Sequence, residues 1–174
     1  KNFKSFLIEA EGKGATFTFG RFNPPTTGHA KLVAKLEQSS KGNFVPLIYT
    51  SHSSDPKKNP LSYKKKISYL KKFFPKVGVI DTPARTVFEI VTDLHNKGYT
   101  DVRMVVGSDR VKEFDMLIKK YNGQKGRHGF YKFKSINIIS AGERDPDADD
   151  VSGMSASKMR ALASDGDFEA FAQG

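Results

Sequence analysis

The chain has 174 residues, 28% of them charged and 37% hydrophobic, with a formal net charge of +10 at pH 7 and no cysteine. This length supports one domain with a real core, the balance is that of a soluble protein, and no apolar run approaches a membrane span. The lack of cysteine excludes disulfides and thiolate metal sites, and with no signal-peptide pattern it points to a reducing, cytoplasmic setting.

Residues 1–14 carry Phe3, Phe6 and Leu7 at helical spacing and end in Glu11-Gly12-Lys13-Gly14, which predicts a short helical leader with a flexible joint. The chain begins at Lys1, which leaves its native N-terminus open. Residues 15–174 read as a single domain in which strands and helices alternate. Ala15–Phe19 is β-branched and aromatic, a buried strand, and Gly28–Ser39 has helical periodicity. Phe44–Thr50 is the second strand, followed by an exposed loop, Ser51–Pro60, and a helix at Leu61–Phe73 that starts after Pro60 and stops before Pro75. Lys76–Ile80 is the third strand, and Thr86–Lys97 is a helix closed by Asn96-Lys97-Gly98. Asp101–Val106 is the fourth strand, Arg110–Tyr121 a helix, Gly123–Gly129 an exposed loop and Ser135–Ile139 the fifth strand. Ser155–Ser164 is a further helix, and Phe168–Ala172 adds one more turn.

Val45–Tyr49 and Val102–Val106 are apolar at successive positions, as in a parallel sheet covered on both sides. The expected fold is therefore α/β: a single Rossmann-like, doubly wound domain with a five-stranded parallel sheet and helices on both faces. Such sheets bind ligands beyond the C-terminal ends of their strands, where the strand order reverses.

Charge is unevenly placed. Lys57, Lys58, Lys64, Lys65, Lys66, Lys71 and Lys72 crowd one stretch, and Lys119, Lys120, Lys125, Arg127, Lys132 and Lys134 another. Glu143, Asp145, Asp147, Asp149 and Asp150 form an acidic loop. The basic stretches fit a polyanionic partner, from nucleotide phosphates up to nucleic acid, although solvated lysine faces are the simpler account.

The most informative block is Gly20-Arg21-Phe22-Asn23-Pro24-Pro25-Thr26-Thr27-Gly28-His29, between the first strand and the first helix. Unpaired backbone N–H groups and the helix dipole favour an anion there, and a histidine in that turn donates to phosphate oxygen with little reorganisation. At the end of the fourth strand, Gly107 allows a ligand close to the backbone, and Asp109 suits ribose hydroxyls or a helix cap. A late block, Met154-Ser155-Ala156-Ser157-Lys158-Met159-Arg160, starts another helix with two hydroxyls and two cations; taken alone, a capped surface helix is the favoured account of it.

Together these blocks resemble the nucleotidylyltransferase superfamily, whose signature is HxGH or TxGH, here Thr26-Thr27-Gly28-His29. The late block is similar to that family's I-S-x-[ST]-x-x-R motif, with Met154 for Ile and Ser157 in the commoner Thr place. Gly20-Arg21-Phe22-Asn23-Pro24 is particularly similar to the opening of archaeal-type nicotinamide mononucleotide adenylyltransferases. The resemblance spans about Ala15 to Ala163.

It implies transfer of a nucleotidyl group, AMP before others, from an NTP (ATP as the preferred donor) to a phosphorylated small molecule, with release of pyrophosphate and Mg²⁺ bridging the phosphates. His29 would contact the α-phosphate in the transition state, and Thr26 phosphate or a metal-bound water. Arg21, with Gly20, Phe22 and Gly28 shaping the cradle, would contact the triphosphate, and Asn23 the acceptor. Gly107 and Asp109 would line the nucleoside pocket. Ser155, Ser157 and Lys158 would hold the β- and γ-phosphates while Arg160 neutralises the leaving pyrophosphate. Two alternatives stay open: a cytidylyltransferase of the same fold, and a non-catalytic basic protein that binds nucleic acid or joins an assembly.

The remaining residues have plainer readings. His52, in the loop after the second strand, reads as a solvent-facing residue before an acceptor contact, His95 as a favourable charge at a helix C-terminus, and His128 as part of a basic loop; their spacing is not that of a metal site. The acidic loop lacks the glycine and final glutamate of a calcium loop. Phe130, Tyr131 and Phe133 read as hydrophobic anchors for a strand before base-stacking groups. No protein ligand for a metal, no oligomeric state and no acceptor identity can be read from the sequence.

Overall fold

A computed structural model describes residues 12–57, 60–127 and 129–142. Within them, strands β1 (Gly14–Gly20), β2 (Phe44–Thr50), β3 (Gly78–Val79), β4 (Asp101–Val106) and β5 (Ser135–Ser140) alternate with helices α1 (Thr27–Gln38), α2 (Tyr63–Phe73), α3 (Val87–Asn96) and α4 (Val111–Lys120). The strands form one parallel sheet in the order β3-β2-β1-β4-β5. This is the expected α/β, Rossmann-like architecture, with the strand order reversing beside β1.

Alternation along β1 explains why the sheet is covered twice. Ala15 and Phe17 face one core, packed with Tyr49, Met104 and the α3 residues Ile90, Val91 and Leu94. The opposite core joins Ile48 and Val105 to Val33 and Leu36 of α1 and Ile67 and Leu70 of α2. Thr16 and Thr18 are buried but not orphaned: Thr16 Oγ1 donates to the Ser39 carbonyl at 3.2 Å and Thr18 Oγ1 to the Val105 carbonyl at 2.9 Å. Such pairing removes the penalty of burying a hydroxyl.

The boundaries differ from expectation in instructive places. β1 begins at Gly14, and Lys13 beside it is buried, so this end of the expected flexible joint belongs to the sheet. The third strand shrinks to Gly78–Val79 at one edge of the sheet, where only Leu47 and Ile48 pair with it. Arg110 closes a short 3₁₀ turn, Ser108–Arg110, ahead of α4. Tyr131 and Phe133 are buried ahead of β5, and the Tyr131 hydroxyl donates to the Ile118 carbonyl at 2.6 Å, so these aromatics anchor a loop to α4. Burial pushes the Tyr131 phenol up to about 12. The expected leader helix and the helices expected at 155–164 and 168–172 fall outside the described residues. No helix among the described residues is long and apolar enough to cross a membrane.

Candidate active site

β1 and β4 are paired from Gly14–Asp101 to Phe17–Met104 and then part, although β1 continues to Gly20 and β4 to Val106. The Thr18 hydroxyl, bonded to the Val105 carbonyl, spans the two strands where the backbone pairing ends. Their separation accompanies a cleft of about 450 Å³ that Thr18, Gly20 and Val106 help to line. It therefore lies at the C-terminal edge of the sheet where the strand order reverses, the place such folds use for ligands.

His29 reaches this cleft from the first turn of α1. Thr26 is the helix N-cap, and its backbone N–H donates to His29 Nδ1 at 3.0 Å, with the Thr26 hydroxyl 3.1 Å from the same nitrogen. A ring nitrogen that accepts a backbone N–H carries no hydrogen, so a neutral His29 has its proton on Nε2. The ring is also held from the side by Phe22, centroid to centroid 4.7 Å. Phe22 is buried with φ of 47°, a left-handed conformation unfavourable for a bulky side chain. Gly20 accommodates it, since a Cβ there would lie 3.0 Å from the Phe22 ring.

Three arginines converge on the cleft from separate loops: Arg21 after β1, Arg85 ahead of α3 and Arg110 after β4. Arg110 Nε is 2.8 Å from Glu113 and its guanidinium lies over Phe114, but both members of this ion pair are half exposed. No described residue lining the cleft is acidic. No group of three or more histidines, cysteines and carboxylates that could hold a metal exists among the described residues. Its described lining thus favours an anion.

On the β2 side, Ser51 and Ser53 line the cleft and Lys66 of α2 lies behind them, fully buried. This corrects the reading of Lys66 as one of a run of surface cations. The α2 residues Ile67 and Leu70 face the core, and helical spacing carries Lys66 inward with them. Its Nζ donates to the Ser51 carbonyl at 2.5 Å, the Ser51 hydroxyl at 3.2 Å and the Ser53 carbonyl at 3.3 Å. Burial, helped by the nearby Arg21 charge, pulls the Lys66 ammonium down to about 8. His52 is not the solvent-facing residue expected: it stacks on Tyr63 at 3.8 Å, and its Nε2 is 2.7 Å from the Thr82 carbonyl.

Of the residues singled out in the sequence, Gly20, Arg21, Phe22, His29 and Gly107 line one cleft. Thr26 and Gly28 sit at the start of α1, and Thr26 is largely buried with its hydroxyl turned to His29. Asn23 is not among the described residues that line the cleft. It is buried, its amide donates to the Leu61 carbonyl at 3.3 Å, and it accepts the Leu61 N–H at 2.9 Å. That pair ties the β1–α1 turn to the segment before α2. Asp109 is exposed and is not among the lining residues; a Cβ on Gly107 would lie 2.8 Å from its carboxylate oxygen. Ser155, Ser157, Lys158 and Arg160 lie outside the described residues. Sequence reasoning assigned no role to Arg85, Arg110, Ser51 or Ser53. The available signal was topological: each lies within a few residues of the C-terminal end of a parallel strand, and those ends share one edge.

Compared with known families, the chain matches the one described as cytidylyltransferase-like over residues 17–161. A comparison with curated proteins finds no match.

Proposed function

The chain belongs to the cytidylyltransferase-like family, and from that premise we propose that it transfers a nucleotidyl group from an NTP to a phosphorylated small molecule. The observation that carries this reading is the juxtaposition of His29, fixed by Thr26, with Arg21, Arg85 and Arg110 in one cleft that no described carboxylate lines. An acceptor phosphate oxygen attacks the α-phosphorus in line, the bond from that phosphorus to the β-phosphate oxygen breaks, and pyrophosphate leaves with the electron pair. No covalent enzyme intermediate is needed. Catalysis then consists of holding the reactants and stabilising charge on the phosphoryl oxygens.

His29 Nε2–H donates to an α-phosphate oxygen, a bond that strengthens as charge accumulates there. The arginines neutralise the phosphates, and the wall of Gly107 and Phe114 suits the nucleoside. By motif resemblance Ser155, Ser157, Lys158 and Arg160 hold the β- and γ-phosphates. Mg²⁺, where the nucleotide carries it, would supply further neutralisation of phosphate charge beside Arg21, Arg85 and Arg110. ATP is the preferred donor, because the Gly20–Pro24 opening resembles that of adenylyltransferases, and nicotinamide mononucleotide is the first acceptor to try. The family description favours CTP as the second donor.

The test is pyrophosphate release from each NTP with Mg²⁺ and a panel of phosphorylated acceptors. Turnover with one donor–acceptor pair supports the assignment. No turnover with any pair, together with salt-sensitive binding of RNA or DNA, replaces it with a binding role for the basic stretches.

A further inference from the structure

We propose that Ser51 is a ligand-contacting residue for a phosphate group in the cleft, and that the buried Lys66 is the positioning residue that orients it. The inference rests on the nucleotidylyltransferase reading for the identity of the substrate, but its geometry stands independently of that reading.

A lysine ammonium has three N–H donors. Lys66 makes three hydrogen bonds, to the Ser51 carbonyl, the Ser51 hydroxyl and the Ser53 carbonyl. Its donors are therefore all engaged within the protein, and with no exposed surface it does not itself reach a substrate. What it does is fix the start of the loop after β2. The Ser51 N–H donates to the Gly20 carbonyl at 2.9 Å, so the same residue is bound to the end of β1 and to α2.

The orientation of the Ser51 hydroxyl follows. Its oxygen accepts from the Lys66 ammonium, so its own proton is the group left to donate. A hydroxyl that accepts from a cation is polarised and becomes a better donor. Ser51 lines the cleft beside Arg21, so this donor serves the same anion as the guanidinium. A phosphate dianion suits the position, because it accepts from Ser51 and also relieves the repulsion between the Arg21 and Lys66 charges. Of the two substrates, the acceptor phosphate is assigned here, since Ser51 and Ser53 lie on the β2 side and Gly107 and Phe114 on the β4 side.

The experiment compares the full chain with Ser51→Ala, Lys66→Met, Lys66→Arg and the Ser51→Ala/Lys66→Met double variant. Inorganic phosphate is titrated into each by calorimetry, thermal melts are recorded, and KM and kcat are measured for the best acceptor found. Ser51→Ala and Lys66→Met are each expected to weaken phosphate binding and raise acceptor KM about tenfold, with kcat changed less. Lys66→Arg should recover most of the loss, and the double variant should be no worse than the poorer single one, because both remove the same donor. Phosphate binding by Ser51→Ala equal to that of the wild type overturns the proposal, as do additive effects of the two changes or no phosphate binding by the wild type. If Lys66→Met fails to fold, Ser51→Ala alone decides. If no donor–acceptor pair turns over, the functional reading falls while the phosphate titration still decides the role of Ser51.

Discussion

The Thr26 backbone N–H donates to His29 Nδ1 at 3.0 Å, and this bond determines what the imidazole offers a ligand. The proton of the neutral ring is placed on Nε2, and the helix cap holds the ring in place. We expect His29→Ala to lower kcat by about a hundredfold or more, the usual effect of losing a transition-state donor. The thermal midpoint should change little, since His29 is only half buried. Near-normal turnover in a pyrophosphate-release assay would reduce His29 to a helix cap.

Arg85 and Arg110 line the cleft from two separate loops and test whether the site extends beyond the residues of the first motif. Each change to alanine is expected to raise the KM of at least one substrate about tenfold, the effect of losing one charge-assisted hydrogen bond. The exposed Arg110–Glu113 pair contributes at most about 1 kcal/mol, so Arg110→Ala should leave stability nearly unchanged. Glu113→Gln is the control: it releases Arg110 and should not weaken nucleotide binding. Unchanged KM values for both substrates in Arg85→Ala and Arg110→Ala would confine the site to the β1–α1 turn.

Asn23 predicts the reverse pattern. Its amide satisfies both the N–H and the carbonyl of Leu61, and it is buried. Asn23→Ala leaves those groups unpaired and should destabilise the protein by about 1–3 kcal/mol. Acceptor KM at a temperature well below unfolding should stay close to that of the wild type. A stable variant with an acceptor-specific KM defect would return Asn23 to the binding site.

Lys66 gives a pH dependence with a definite sign. Its folded-state pKa is about 8 against an ordinary 10.5, lowered mainly by burial and secondarily by Arg21. Between these values the unfolded chain binds more protons than the folded one, so this residue makes stability rise with pH. The contribution is fully present above the unfolded value and is lost as pH falls through about 8. Denaturant unfolding of wild type and Lys66→Met at pH 7, 8, 9 and 10 should show the difference between them moving in favour of the wild type as pH rises. A difference independent of pH would place the ammonium in contact with water.

The sequence by itself determined the alternation of strands and helices, because the period of apolar residues and the Gly, Pro and capping positions are local properties. It also determined that the Gly20–His29 turn and Gly107 lie at the ligand edge, since the C-terminal ends of parallel strands share one side. It misread Lys66 as one more cation in a run, because charge composition does not report which helix face packs inward. It did not show the bond that Asn23 makes to Leu61, because that partner is 38 residues away. The tertiary structure decided which loops meet. Only when β1 and β4 part after Phe17 and Met104 do Arg21, Arg85, Arg110 and Ser51 come to line one cleft. The physical reason is that these contacts are non-local: the fold of the sheet brings together side chains that no sequence window contains.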